Sequence, residues 1–148
     1  WIDPEAAKIV FDSGCDITVV PLDATHAAAV TIEDARELRV LGTKASVAAA
    51  DIIEHRWKAY KNWQPMEDIN SVPVHDALAV CAVLNPEVLK EVVSVHADVD
   101  VGGGASDGQS IFDVDKRIKH AVPNVKVALG ADKKLFAAML KELLGRTL

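Results

Sequence analysis

The apolar positions of the chain fall into runs whose spacing switches between helical and extended periods. In "DPEAAKIVFDSG", residues 3–14, Asp3 can cap free backbone N–H groups and Pro4 suits the first helical position. Gly14 can take the left-handed conformation that ends a helix, so the stretch predicts a helix over 4–13. "DITVVPLD", residues 16–23, is a β-branched run of strand length. Thr31 with Asp34 three residues on has the form of a capping box and predicts a helix over 32–41, stopped by Gly42. After Thr43, Ala45, Ala48, Ile52, Trp57, Tyr60 and Trp63 fall near one face, which predicts a long amphipathic helix with those residues as its core stripe.

The second half begins with "QPMEDINSVP", residues 64–73, whose prolines, acids and Asn-Ser pair read as a loop. "HDALAVCAVL" predicts a short helix, apolar on nearly every side and therefore expected to be buried, and "NPEVL" adds an Asn-capped, Pro-led turn. "EVVSVHADVDV", residues 91–101, alternates Val with polar residues as a half-wet strand does. With the Gly-rich turn "GGGASDG" and the run "QSIFDV", it predicts a β-hairpin. "NVKVALG" is a last strand, and "ADKKLFAAMLKELLG" a last helix with Leu135, Phe136, Met139, Leu140, Leu143 and Leu144 toward the core. This order predicts an α/β fold with a mixed sheet. So few strands leave the apolar helix short of cover, which suggests that more sheet exists than this stretch supplies.

Composition narrows the function. With 148 residues, half of them apolar, the chain has the size and content of one ordinary domain with a sizeable core. Sixteen Lys and Arg against 22 Asp and Glu give a net charge of −6, so phosphate backbones and anionic membrane surfaces are repelled and neither nucleic acid nor membrane is an expected partner. No stretch approaches the roughly twenty continuous apolar residues of a membrane span. Cys15 and Cys81 lack metal or redox spacing and read as reduced packing residues of a cytoplasmic protein. The sequence opens at Trp1, directly before a helix start, which is the expectation for a piece of a longer protein or a matured chain.

Several residues carry possible chemistry, each with a structural alternative. Asp76 stands where an aspartate caps a helix, yet a carboxylate at the positive end of a helix can also face a cleft and ligate a hard cation. His75, beside it, is either incidental or a general acid for a poor leaving group. "EHRWKAYKNW" mixes Trp57, Tyr60 and Trp63 with His55, Arg56, Lys58 and Lys61, either as the end of a core stripe or as a surface for stacking on a flat base. "LDATH" offers Asp23, Thr25 and His26 as a cleft edge or as turn chemistry. "GGGASDG" lacks the ending of a phosphate loop, and His96 and His120 join no constellation.

Three motifs, "WIDPEAAKIVFDSG", "VVPLDATHAAAVT" and "VPVHDALAV", in this order and approximate spacing, resemble the inosine-uridine preferring nucleoside hydrolases. The resemblance covers essentially the entire chain, as the C-terminal portion of such an enzyme. It implies a mostly parallel, open-sheet fold with flanking helices, hydrolysis of the N-glycosidic bond of ribonucleosides to ribose and free base, and a bound calcium ion, Ca2+. By the same resemblance Asp76 is a calcium ligand, His75 is the catalytic histidine beside the leaving base, and Tyr60 lies near a helix end bordering the base. Arg56 stands where some members carry a tyrosine. Carboxylates suit this chemistry because breaking the bond builds positive charge on the sugar. The family's aspartate-rich opening and its Glu-Phe-Asn ribose-binding element are absent from this chain, so the chain alone is expected to bind calcium weakly, to be inactive and to associate, as a homo-oligomer, through uncovered apolar surface. The alternative is a non-catalytic α/β binding or oligomerisation module in which these residues only cap and pack.

Overall fold

The structure is a computed structural model and describes residues 1–64 and 66–147; Pro65, inside the loop expected at 64–73, lies outside the described residues. In chain order the elements are α1 (Pro4–Asp12), β1 (Thr18–Val19), α2 (Leu22–Ala27), β2 (Val30–Thr31), α3 (Ile32–Val40), α4 (Lys44–Trp63), β3 (Ser71–Val72) and α5 (His75–Leu84). A 3-10 turn (Pro86–Val88) follows, then β4 (Leu89–Val95), β5 (Ala97–Val99), β6 (Ser110–Phe112), β7 (Val125–Ala131) and α6 (Lys133–Leu144). The architecture is mixed α/β, and the chain divides into two compact units, one built from Trp1–Pro21 with Glu91–Leu129 and the other from Leu22–Lys90 with the segment from Gly130 onward.

In the first unit α1 starts as its sequence dictates: the Asp3 carboxylate accepts from the Ala6 N–H at 2.9 Å, and Gly14 closes the turn at φ +74°. Strand β7 lies between β1 and β4, and β1 pairs with it in parallel, Val19 opposite Val127. The expected hairpin is present, antiparallel, with Ala97 opposite Phe112 and Val99 opposite Ser110. The single strand expected over 91–101 is instead two, β4 and β5, separated at His96. Its two halves serve different sheets, β4 pairing with β7 and β5 with β6. The Asn124 side chain occupies the break, accepting from the Ala97 N–H at 2.7 Å and donating to the Ala97 carbonyl at 2.9 Å and the Phe11 carbonyl at 3.1 Å. Val95, Ala97, Val125 and Val127 form the core here, with Phe11 and Phe112 edge-on at 6.0 Å against it. Cys15 is exposed, contrary to its expected packing role, while Cys81, in the second unit, is buried; both are free thiols.

The second unit is mostly helical. Thr31 and Asp34 form both halves of the capping box, and α3 begins where the pattern places it. The extended run expected through residue 23 stops at β1, and Leu22–Ala27 is helical instead. Alanine-rich sequence favours this, and the Thr25 hydroxyl bonds back to the Leu22 carbonyl at 3.2 Å, a helical return that β-branching in the sequence hides. The last residues of the expected loop pair with β2, Val72 opposite Val30 and Ser71 opposite Thr31.

Two expectations about burial fail. The inward face of α4 carries Ser46, Ala50 and Ile53, with Trp57 and Tyr60 half-buried beyond them, whereas Ile52 is 64% exposed and Trp63, Ala45 and Ala48 also face water. Buried Ser46 is tolerated because its hydroxyl donates to the Thr43 carbonyl and its N–H to the Thr43 hydroxyl. Helix α5 buries Leu78 and Cys81 but leaves Val80, Val83 and Leu84 exposed, so it is not covered all round.

Candidate active site

Within the second unit, three elements bring polar side chains to one place. Helix α2 supplies Thr25 and His26, the last turns of α4 supply Arg56 and Tyr60, and the first turn of α5 supplies His75 and Asp76. Pro73 is buried immediately before α5 and Leu78 a turn inside it, so the start of the helix is anchored on both sides. That anchoring holds His75 in a half-buried position while Asp76 stays exposed.

His75 is held at both ring nitrogens. Nδ1 lies 2.8 Å from the Thr25 hydroxyl, and Nε2 lies 3.4 Å from the Tyr60 hydroxyl. Arg56 donates from Nη2 to the same Tyr60 oxygen at 3.3 Å and from Nε to the Pro73 carbonyl at 3.1 Å, with its guanidinium 5.0 Å from the Tyr60 ring centre. The His26 ring packs 6.1 Å from that of His75, and its buried Nε2 has no hydrogen-bond partner among the described residues. Burial, then the Arg56 charge and then His26, hold the His75 imidazole below the ordinary histidine range; the Asp76 carboxylate pulls the other way and does not offset them.

Asp76 is not a cap. The helix runs His75–Leu84 with Val74 at the capping position, two residues before Asp76, and no side chain caps it. The carboxylate therefore sits in the first helical turn, exposed and without a capping hydrogen bond, where the aligned peptide dipoles favour negative charge. Its chemistry fits one ligand of a hard cation. Among the described residues no group of three or more His, Cys, Asp or Glu is gathered to hold a metal ion.

Sequence reasoning singled out His75, Asp76 and Tyr60 as candidates, and the structure brings Tyr60 and His75 into contact. It did not connect Thr25 to His75, because a residue read as strand-end or turn chemistry lies on a helix and meets its partner from 50 residues away. The only signal was the polar Thr-His pair in an otherwise apolar stretch. Trp57, the other aromatic of the cluster, donates its indole N–H to the Ile69 carbonyl at 2.7 Å and so braces the loop after α4. Trp63 faces solvent.

The chain is 29% identical over 146 residues to the pyrimidine-specific ribonucleoside hydrolase RihA of Escherichia fergusonii, a match covering 97% of this chain and 45% of that protein. It thus spans about half the length of the curated relatives it matches. Among solved structures, a purine-preferring ribonucleoside hydrolase from Gardnerella vaginalis is 30% identical with a TM-score of 0.79, over 96% of this chain and 43% of that one. A plant nucleoside hydrolase is 26% identical with a TM-score of 0.84, over 97% and 46%. Residues 1–138 match the family model described as inosine-uridine preferring nucleoside hydrolase, and the chain belongs to that family.

Proposed function

We propose that the chain is the C-terminal portion of a ribonucleoside hydrolase, and that it contributes His75, Asp76 and Tyr60 to a site that splits the N-glycosidic bond into ribose and free base. The observation that carries this reading is the pairing of a doubly held, half-buried His75 with an exposed, uncapped Asp76 at the start of α5, in a chain of this family. The coverage of 45% of RihA supports the view that further residues complete the site.

In this reading Asp76 is one oxygen ligand of a calcium ion whose other ligands, out of the six to eight such an ion takes, come from outside the described residues. When bound, the ion would lower the pKa of a water and hold it for attack. The remaining work falls to residues of this chain. Asp76 adds negative charge where the sugar becomes cationic. Tyr60, its hydroxyl held by Arg56, borders the base. His75 is neutral near pH 7, and once protonated it gives up a proton readily because its surroundings disfavour the charge; that suits delivery of a proton to the departing base. The reaction serves recovery of free bases, and a free, exposed Cys15 fits a reducing, cytoplasmic setting.

The test is ribose release from inosine and from uridine by the complete gene product and its variants. His75→Ala lowers kcat by about a hundredfold or more, the usual reach of a lost general acid. Asp76→Ala abolishes turnover and removes the rise in melting temperature that calcium produces. Unchanged turnover in both variants would falsify the assignment, and a melting temperature indifferent to calcium would leave the non-catalytic module. The 148-residue chain alone releases no ribose. Release from it that Asp76→Ala abolishes would overturn the incomplete-site reading.

A further inference from the structure

The hydrogen bonds around His75 have a direction. At one end Arg56 has only N–H groups to offer, so its 3.3 Å contact with Tyr60 makes the phenol oxygen an acceptor and leaves the phenol O–H free to donate. The next polar atom is His75 Nε2, 3.4 Å away. At the other end the Leu22 carbonyl can only accept, so the Thr25 hydroxyl hydrogen is engaged there, at 3.2 Å. Thr25 Oγ1 then faces His75 Nδ1 at 2.8 Å with lone pairs alone. The Thr25 end calls for a hydrogen on Nδ1 and a lone pair on Nε2, and the Tyr60 end accommodates the same choice.

We propose that Thr25 is a positioning residue that holds His75 as the Nδ1–H tautomer, with the lone pair of Nε2 turned toward Tyr60. The contact to Thr25 is the shorter of the two, and Thr25 is buried within α2, so it dominates. Helix geometry explains why a threonine does this. A hydroxyl bonded back to a carbonyl three residues earlier has its hydrogen fixed by its own helix and presents a preset acceptor to a neighbour. Serine can reproduce that arrangement, whereas valine keeps the shape and removes the acceptor. The meaning of the tautomer for catalysis rests on the proposed function; the tautomer itself does not.

The test is long-range proton–nitrogen correlation spectroscopy of the 15N-histidine-labelled protein, at a pH above the ordinary histidine range. Nδ1 of His75 gives a protonated, pyrrole-type nitrogen signal and Nε2 an unprotonated one. Thr25→Ser keeps that signature, and Thr25→Val loses it to the opposite tautomer or to a mixture. Tyr60→Phe retains it, because Thr25 alone suffices. The proposal is overturned by an Nε2–H signature in the wild type, by an unchanged spectrum in a folded Thr25→Val protein, or by loss of the Nδ1–H signature in Tyr60→Phe. If Thr25→Val does not fold, the wild-type and Tyr60→Phe spectra still decide. No outcome depends on ribose release, so a failed hydrolase assay and a failed tautomer assignment are distinguishable.

Discussion

At the scale of single residues, hydrogen-bond partners rather than residue type determine what a carboxylate does. Asp34 and Asp76 both lie in the first turn of a helix after a β-branched residue, and the sequence reads both as caps or near-caps. Only Asp34 behaves so. Its burial alone would raise its pKa, but the hydroxyl and N–H of Thr31 and the ammonium of Lys141, 3.1 Å away, together lower it below the usual carboxylate range. The folded protein therefore holds Asp34 charged at pH values where the unfolded chain has begun to protonate it. Its contribution is fully present above the ordinary aspartate range, near pH 4, and is lost as pH falls through the folded value. Urea unfolding midpoints followed against pH check this. Asp34→Asn is less stable than wild type at pH 7, and the gap closes in acid; a gap of constant size down to pH 2 would contradict the assignment. Residue-scale pairing of this kind was legible where partners lie three residues apart, as Thr31 and Asp34 do. It was not legible for Thr25 and His75, because no local period links positions on different helices.

At the scale of elements, the apolar pattern located helices well and oriented them less well. Helices α1, α3 and α6 start and stop near their sequence signals because caps are local chemistry. Helix α4 shows the limit. A stripe drawn through Ala45, Ala48 and Ile52 follows hydrophobicity, but the face that is buried runs through Ser46, Ala50 and Ile53, about one residue round the cylinder. Ser46 made the true face look polar, since its satisfaction by Thr43 cannot be seen in composition. The two neighbouring isoleucines give a sharp test by thermal or denaturant unfolding. Ile53→Ala, from a site 3% exposed, is expected to cost about 2–5 kcal/mol, as large-to-small core changes do. Ile52→Ala, from a site 64% exposed, should stay within about 0.5 kcal/mol. Equal costs, or the reverse order, would mean that the orientation of α4 is wrong, and with it the direction in which Arg56 and Tyr60 reach His75.

At the scale of the whole molecule, the question is what becomes of apolar surface that the fold leaves in water. The sequence predicted that α5 is covered on all sides, and the structure covers it on one. Val80, Val83 and Leu84 remain on the outer face of the helix, Val83 at 83% exposure. Contiguous apolar surface of this kind favours association, and a net charge of −6 over 148 residues, largely screened at physiological salt, opposes it only weakly. The chain is therefore expected to form homo-oligomers through this face. Sedimentation velocity or light scattering over a range of concentrations should show mass rising with concentration. Val83→Glu should shift the population toward the monomer while leaving the melting temperature of the dilute protein unchanged, because an exposed side chain contributes little to the fold itself. A wild type that stays monomeric at every concentration would show that exposed valines on α5 are simply tolerated. Association that persists in Val83→Glu would place the contact elsewhere.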